Sequence, residues 1–148
     1  MISVNDTLPA FDVWTRLIRA SEHMRRLVEL DPKEPGFPSL SWHDVLLELK
    51  RSETRCLRPF ELERQLLLTQ YNLSRLLDRI VKVGYAEKRP LNEDSRGHLL
   101  ALTATGEDLI GRMWPVYRSS IEKHVSDRLT NEEARSVAAL LSRLYNDA

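Results

Sequence analysis

The sequence has a single cysteine, Cys56, in 148 residues, which excludes an intrachain disulfide framework and a clustered-thiolate metal site. No apolar run approaches the roughly 18 residues that a membrane span requires. The opening stretch, MISVNDTLPAFDVW, has no positive region followed by an apolar one, so a cytoplasmic protein without membrane attachment is expected. Net charge is missing too: 22 basic residues balance 22 acidic ones, which argues against a protein that coats nucleic acid indiscriminately. Catalytic signatures are equally scarce. His23, His43, His98 and His124 have no partners at metal-ligand spacing. Gly106 and Gly111 have the spacing of a phosphate loop, but Arg112-Met113 follows in place of Lys and Ser or Thr. No nucleophile elbow or zincin motif occurs. The chain is expected to be no enzyme and to carry neither metal nor cofactor.

What is present suits one globular domain: 42% of residues are apolar and 30% charged. The charges are unevenly spread. Residues 55–96 hold nine Lys or Arg against six acids, a modest basic middle between slightly acidic flanks. Cys56 lies between Arg55 and Arg58, which suits either an activated thiol or a small buried apolar side chain.

Hydrophobic spacing divides the chain into helices. From Leu8 to about Leu30, Phe11, Trp14, Leu17, Ile18, Met24, Leu27 and Val28 recur at intervals of three and four. Asp31 to Ser39 packs three prolines and a glycine into nine residues and reads as a loop. Ser41 with Asp44 resembles a capping box opening a second helix, with Trp42, Val45, Leu46 and Leu49 inside and an end near Ser52. Pro59 suits the first turn of a short third helix, Pro59 to Leu66. Thr69 is the expected N-cap of a fourth, closed by Gly84. Two helices joined by so short a connection form a helix-turn-helix.

After Gly84, two strand-like runs, Tyr85–Arg89 and His98–Leu102, flank the turn-rich PLNEDSRG, predicting a β-hairpin, or wing, over 85–102. A long helix then starts at Thr103 with Leu109, Ile110, Met113, Val116, Tyr117, Ile121 and Val125 on its inner side. Pro115 predicts a bend in it. Thr130 and Glu133 form a capping box for a last helix whose inner side is Ala134, Val137, Leu140, Leu141 and Leu144.

The fourth helix has two chemically distinct faces. Leu73, Leu76, Leu77 and Ile80 form an apolar one, and Asn72, Arg75, Arg79 and Lys82, spaced 3, 4 and 3, a polar one. Gln70, Tyr71, Asn72, Ser74 and Arg75 near its start offer groups that pair with base edges in a major groove, and Arg79 suits phosphates. A polar helix face is often merely solvated. Here, however, the hairpin places Arg89, Asp94 and Arg96 beside it. An arginine on a hairpin tip can enter a narrow minor groove while a nearby carboxylate holds its guanidinium.

The run LLTQYNLSRLLDRIVKVGYAEKRPLNEDSRGHLLALTATGEDL resembles the recognition helix, wing and following helix of MarR-type winged-helix transcriptional regulators. The likeness rests on Asp94-Ser95-Arg96, Arg89-Pro90 before it, and Leu102-Thr103 with Gly106 after it. It implies a mainly α fold with a small β-hairpin: a winged helix-turn-helix lobe over 41–102, and dimerisation helices over 8–30 and 103–147. It implies a homodimer on double-stranded DNA, with Thr69 to Arg75 in the major groove and Asp94 and Arg96 at the wing tip. Repression from a pseudo-palindromic operator is the expected mode. It further implies a small aromatic effector, for which Trp14, Trp42, His43, Met113, Trp114 and Tyr117 are candidate lining residues. The alternative is a winged-helix module that binds protein through the same helix face and wing, and an apolar outer face on the fourth helix would favour it.

Overall fold

The computed structural model describes residues 8–66, 70–91 and 97–146. Its elements are α1 (Pro9–Leu30), α2 (Leu40–Arg51), β1 (Cys56–Leu57), α3 (Pro59–Gln65), α4 (Gln70–Val83), β2 (Ala86–Pro90), β3 (His98–Leu102), α5 (Ala104–Ser126) and α6 (Asn131–Tyr145). The chain forms two compact units: one up to Pro32 together with Tyr117 onward, the other Lys33–Val116. No helix of the described residues is long and apolar enough to cross a membrane.

The second unit is a winged helix. Its core combines Val45, Leu46 and Leu49 of α2, Leu62 of α3, Leu73, Leu76, Leu77 and Ile80 of α4, Leu100 and Ala101 of β3, and Leu109, Ile110 and Met113 of α5, all buried. Each such Leu or Ile removed from water contributes roughly 1.5–3 kcal/mol. β2 and β3 pair antiparallel, with Ala86 opposite Leu102 and Pro90 opposite His98, as expected for the wing. The sheet also has a third strand that the hairpin reading lacked. β1 pairs with the other edge of β3, Cys56 opposite Ala101 and Leu57 opposite Leu100, giving the order β1-β3-β2. Two residues are too few to carry an alternating pattern; the ladder to β3 is what makes them a strand.

Helix ends differ from expectation at two places. α2 starts at Leu40 with Ser39 at its N-cap, so Ser41 lies inside the first turn and does not cap it. Once past Pro38 the chain is free to turn, and Trp42 N–H already donates to the Ser39 carbonyl at 3.0 Å. α5 starts at Ala104 and continues through Pro115 without interruption. At α3, Glu61 Oε1 accepts from the Arg58 N–H at 2.9 Å. The capping box of α6 is formed as expected: Glu133 N–H donates to Thr130 Oγ1 at 3.1 Å, and Thr130 N–H to Glu133 Oε1 at 3.0 Å.

In the first unit, Asp31 at the C-cap of α1 accepts hydrogen bonds from Ser120 and from His124 Nε2, the latter at 2.9 Å. The apolar stripes of this unit are less covered than expected. Val28 and Tyr117 are buried, but Phe11 (60%), Trp14 (66%) and Ile18 of α1, and Val137, Leu140 (57%) and Leu144 of α6, stand exposed. No residue of α6 is buried, so the inner side expected for this helix is not covered by the described residues.

α4, the sheet and α5 converge at one point. Gly84, with φ of 95°, closes α4 in a Schellman arrangement, Tyr85 N–H donating to the Ile80 carbonyl at 3.1 Å and Gly84 N–H to Val81 at 3.0 Å. Thr103 Oγ1 donates to the Gly84 carbonyl at 2.6 Å and accepts from Gly106 N–H at 3.1 Å, capping α5. Gly106 must be glycine, because a Cβ there would sit 2.0 Å from the Tyr85 carbonyl oxygen and 2.9 Å from Leu102 Cδ1.

Two outcomes follow. Gly106→Ala should destabilise the chain by about 1–3 kcal/mol, read as a lower urea midpoint with unchanged slope; a wild-type midpoint would contradict the close approach. For Asp31, the Ser120 hydrogen bond first, then the His124 hydrogen bond and the charges of His124 and Lys123, outweigh desolvation and hold the carboxyl below its ordinary value. A depressed carboxylate stabilises the fold above its unfolded pKa, about 3.9, and that contribution disappears as pH falls through the folded value. Asp31→Asn should therefore lower the melting temperature at neutral pH, with a deficit that shrinks below about pH 4. A deficit constant from pH 3 to pH 7 would be the contrary result.

Candidate nucleic-acid interface

The apolar face of α4 is spent on the core, since Leu73, Leu76, Leu77 and Ile80 are all at most 8% exposed. At 100° per residue, that leaves a contiguous outer face. Asn72, Ser74, Arg75, Asp78, Arg79, Lys82 and Val83 are exposed there, polar at every position except Val83. Gln70 and Tyr71 lie in the first turn of the helix. Thr69, Asp94 and Arg96 lie outside the described residues.

Two clefts flank this helix. On one side Asn72, Arg75, Leu76 and Arg79 border a concavity of about 270 Å³ shared with Ser39, Ser41 and Trp42 of the α2 entry. On the other, Ser74, Leu77 and Asp78 border a cleft of about 380 Å³ shared with Phe60 of α3, Lys88 of β2 and His98 of β3. The predicted residues of α4 are thus brought together on one helix surface, with Ser74 on the opposite flank from Asn72 and Arg79.

Arg89 lies exposed on β2 with its guanidinium on Glu87, Nη2 at 2.8 Å and Nε at 3.0 Å from one carboxylate oxygen. That hydrogen bond and the carboxylate charge raise its pKa further. Its Nη1 stands 3.9 Å from Cys56 Sγ. Sequence reasoning missed Asp78, whose carboxylate meets Lys88 Nζ at 3.6 Å and ties α4 to β2. It also missed Arg55, which takes a φ of 58° and pairs with Glu107 at 2.6 Å. The Arg55 hydrogen bond, with its charge and that of Lys50, lowers the Glu107 carboxyl against the effect of burial. Both pairs join residues too far apart in sequence for any spacing rule to connect them.

The candidate effector residues separate. Met113 and Tyr117 are fully buried and His43 is 2% exposed. The His43 ring stacks on Trp114 with centroids 5.9 Å apart, and Trp42 meets Tyr85 edge-on at 6.1 Å. Trp14 and Trp114 are exposed. Trp114 lines a cavity of about 470 Å³ with Leu47, Lys50 and Arg51 of α2 and Ile110 and Pro115 of α5. Among the described residues no group of three or more His, Cys, Asp and Glu is placed to hold a metal ion.

Comparison with known proteins agrees with this geometry. Residues 37–97 match the family model described as MarR family. The HTH-type transcriptional regulator PrsX of Escherichia coli is 33% identical over 89 residues, which are 60% of this chain and 53% of that protein. The chain therefore spans about half the length of the first curated relatives it matches. The crystal structure of Sco3205, a MarR family transcriptional regulator from Streptomyces coelicolor in complex with DNA, superposes with a TM-score of 0.77 at 24% identity, covering 95% of this chain and 92% of that one. Wild-type MarR from E. coli in its apo form superposes with a TM-score of 0.73 at 25% identity, covering 95% and 99%.

Proposed function

We propose that the chain, whose residues 37–97 match the model described as MarR family, is a homodimeric, sequence-specific DNA-binding transcriptional regulator of that family. The observation that carries the proposal is the outer face of α4. Asn72, Ser74, Arg75, Arg79 and Lys82 are exposed on it, and the sequence between β2 and β3 contains Asp94-Ser95-Arg96. A protein-docking helix would present an apolar patch there, and this one presents amides, hydroxyls and guanidinium groups. The segment from Thr69 to Arg75 reads base edges in the major groove. Arg96, steadied by Asp94, enters the minor groove.

The uncovered apolar stripes support the homodimer. Phe11, Trp14 and Ile18 of α1 and Val137, Leu140 and Leu144 of α6 are more exposed than a monomer usually tolerates in one region, and a second copy is the partner that would bury them. Two recognition helices then require a pseudo-palindrome with half-sites about 10 base pairs apart. Cytoplasmic occupancy of such an operator represses the adjacent gene. The cavity at Trp114 supports an aromatic, anionic effector: the ring would lie on the indole and the carboxylate against Lys50 and Arg51.

Selection from random duplexes at moderate salt should enrich a palindrome; enrichment of an isolated half-site, or of nothing, would contradict the dimeric reading or the function. In gel-shift titrations Arg96→Ala should weaken binding to every sequence, whereas Arg75→Ala should relax preference at particular bases by about 1–3 kcal/mol. Unchanged affinity for Arg96→Ala would remove the wing from the mechanism. Aromatic carboxylates should raise the melting temperature of the wild type and not of Trp114→Ala; a screen of such acids without a shift would count against the effector.

A further inference from the structure

The cleft between α2 and α4 sets Arg79 and two α4 residues assigned to base reading opposite hydroxyls of α2 to which that reading gives no role. Its floor is the buried Leu76, and one wall is Trp42, half-buried and held edge-on by Tyr85 at 6.1 Å. Facing each other across about 270 Å³ are the hydroxyl-bearing Ser39 and Ser41 on the α2 side and Arg75 and Arg79 on the α4 side. None of the described residues lining it carries a carboxylate. The Ser39 side chain makes no capping hydrogen bond to its own helix, so its hydroxyl is not consumed there. Arg79 forms no ion pair among the described residues.

Guanidinium and hydroxyl donors converging on an open concavity whose described lining residues include no acid are the chemistry of a singly charged oxyanion held in a fixed place. On α4 the outermost line runs through Arg75 and Asp78, and Arg79 is turned from it toward α2. An anion seated at Ser39, Ser41 and Arg79 therefore lies beside the helix, where a groove wall passes, and not beneath it, where base edges are. We propose that this cleft seats one backbone phosphate of the duplex in each subunit. The inference rests on the DNA-binding reading and extends it to α2: Ser39, Ser41 and Arg79 fix the register at which α4 enters the groove, and they contribute affinity without base preference.

Ser41→Asp tests this directly. Ser41 is the second residue of α2, where a carboxylate favours the helix, so the melting temperature should stay at or above that of wild type. The same carboxylate repels a phosphate. Affinity for a selected duplex and for a random one should fall together by about 10-fold or more. The slope of log K against log salt should become shallower by about 0.9 per subunit. Arg79→Ala should reproduce both changes. A folded Ser41→Asp variant that binds both duplexes with wild-type affinity and slope overturns the phosphate seat alone. A fall confined to the selected duplex also overturns it, in favour of base reading. Loss of inorganic phosphate binding with unchanged duplex binding assigns the cleft to a free anion. A wild-type chain that binds no duplex overturns the functional reading together with this one.

Discussion

The hydroxyl of Thr103 is the point on which the winged-helix unit turns. It donates to the Gly84 carbonyl, just beyond the end of α4, and accepts from the Gly106 amide, among the first of α5. Its own N–H reaches the Tyr85 carbonyl at 3.3 Å. One side chain thereby satisfies orphan polar groups at the end of one helix and the start of another, and β2 departs from the same turn. Gly106 lets the first turn of α5 press against the Tyr85 carbonyl at a distance that admits no side chain. The angle between α4 and the wing is therefore decided at their shared base, by backbone packing. The exposed ion pair of Lys88 and Asp78, which meet at 3.6 Å, contributes little to it, because water competes for both charges.

Rigidity at that base has a functional counterpart. In the proposed complex a helix and a hairpin meet two adjacent grooves, and holding them in the bound arrangement beforehand would add affinity, since ordering them on binding costs conformational entropy. The core supports this: both β3 and α4 bury apolar residues in the same interior, Leu100 and Ala101 on one side and Ile80 on the other. In the proposed complex the exposed side chains of α4 adapt to the bases while the scaffold beneath them stays fixed.

Much of this was legible in the sequence because the signals are local. The capping box of Thr130 and Glu133, the left-handed Gly84 and the proline-opened α3 each depend on residues within four positions of one another, and all three appear where spacing places them. β1 was not legible, since Cys56 and Leu57 become a strand only by pairing with Ala101 and Leu100. The start of α2 was misplaced by two residues because Ser39 and Ser41 are equally good capping types and only the backbone distinguishes them. The polar face of α4 was evident, but the partition of its flanks was not: Asn72 and Arg79 border α2 while Ser74 and Asp78 border α3 and the wing. Periodicity assigns residues to a face and is silent about what stands opposite.

The balanced charge of the chain, 22 basic against 22 acidic residues, constrains how it can hold a polyanion. A neutral protein exerts no long-range pull, and at physiological salt single charges act over a Debye length of about 8 Å. Attraction to DNA must then come from cations close to the duplex, and acids near them would cancel it. The geometry meets this requirement unevenly. Arg89 and Lys88 are paired with Glu87 and Asp78, so their charges are partly answered within the protein, and the described residues lining the cleft on the α2-facing side of α4 include Arg75 and Arg79 and no acid. Such a surface favours a duplex only when it arrives in the orientation that brings phosphates to that side, and a misplaced duplex meets carboxylates instead. Neutrality overall and cations in one cleft thus suit a protein that selects its position on DNA over one that adheres to DNA generally.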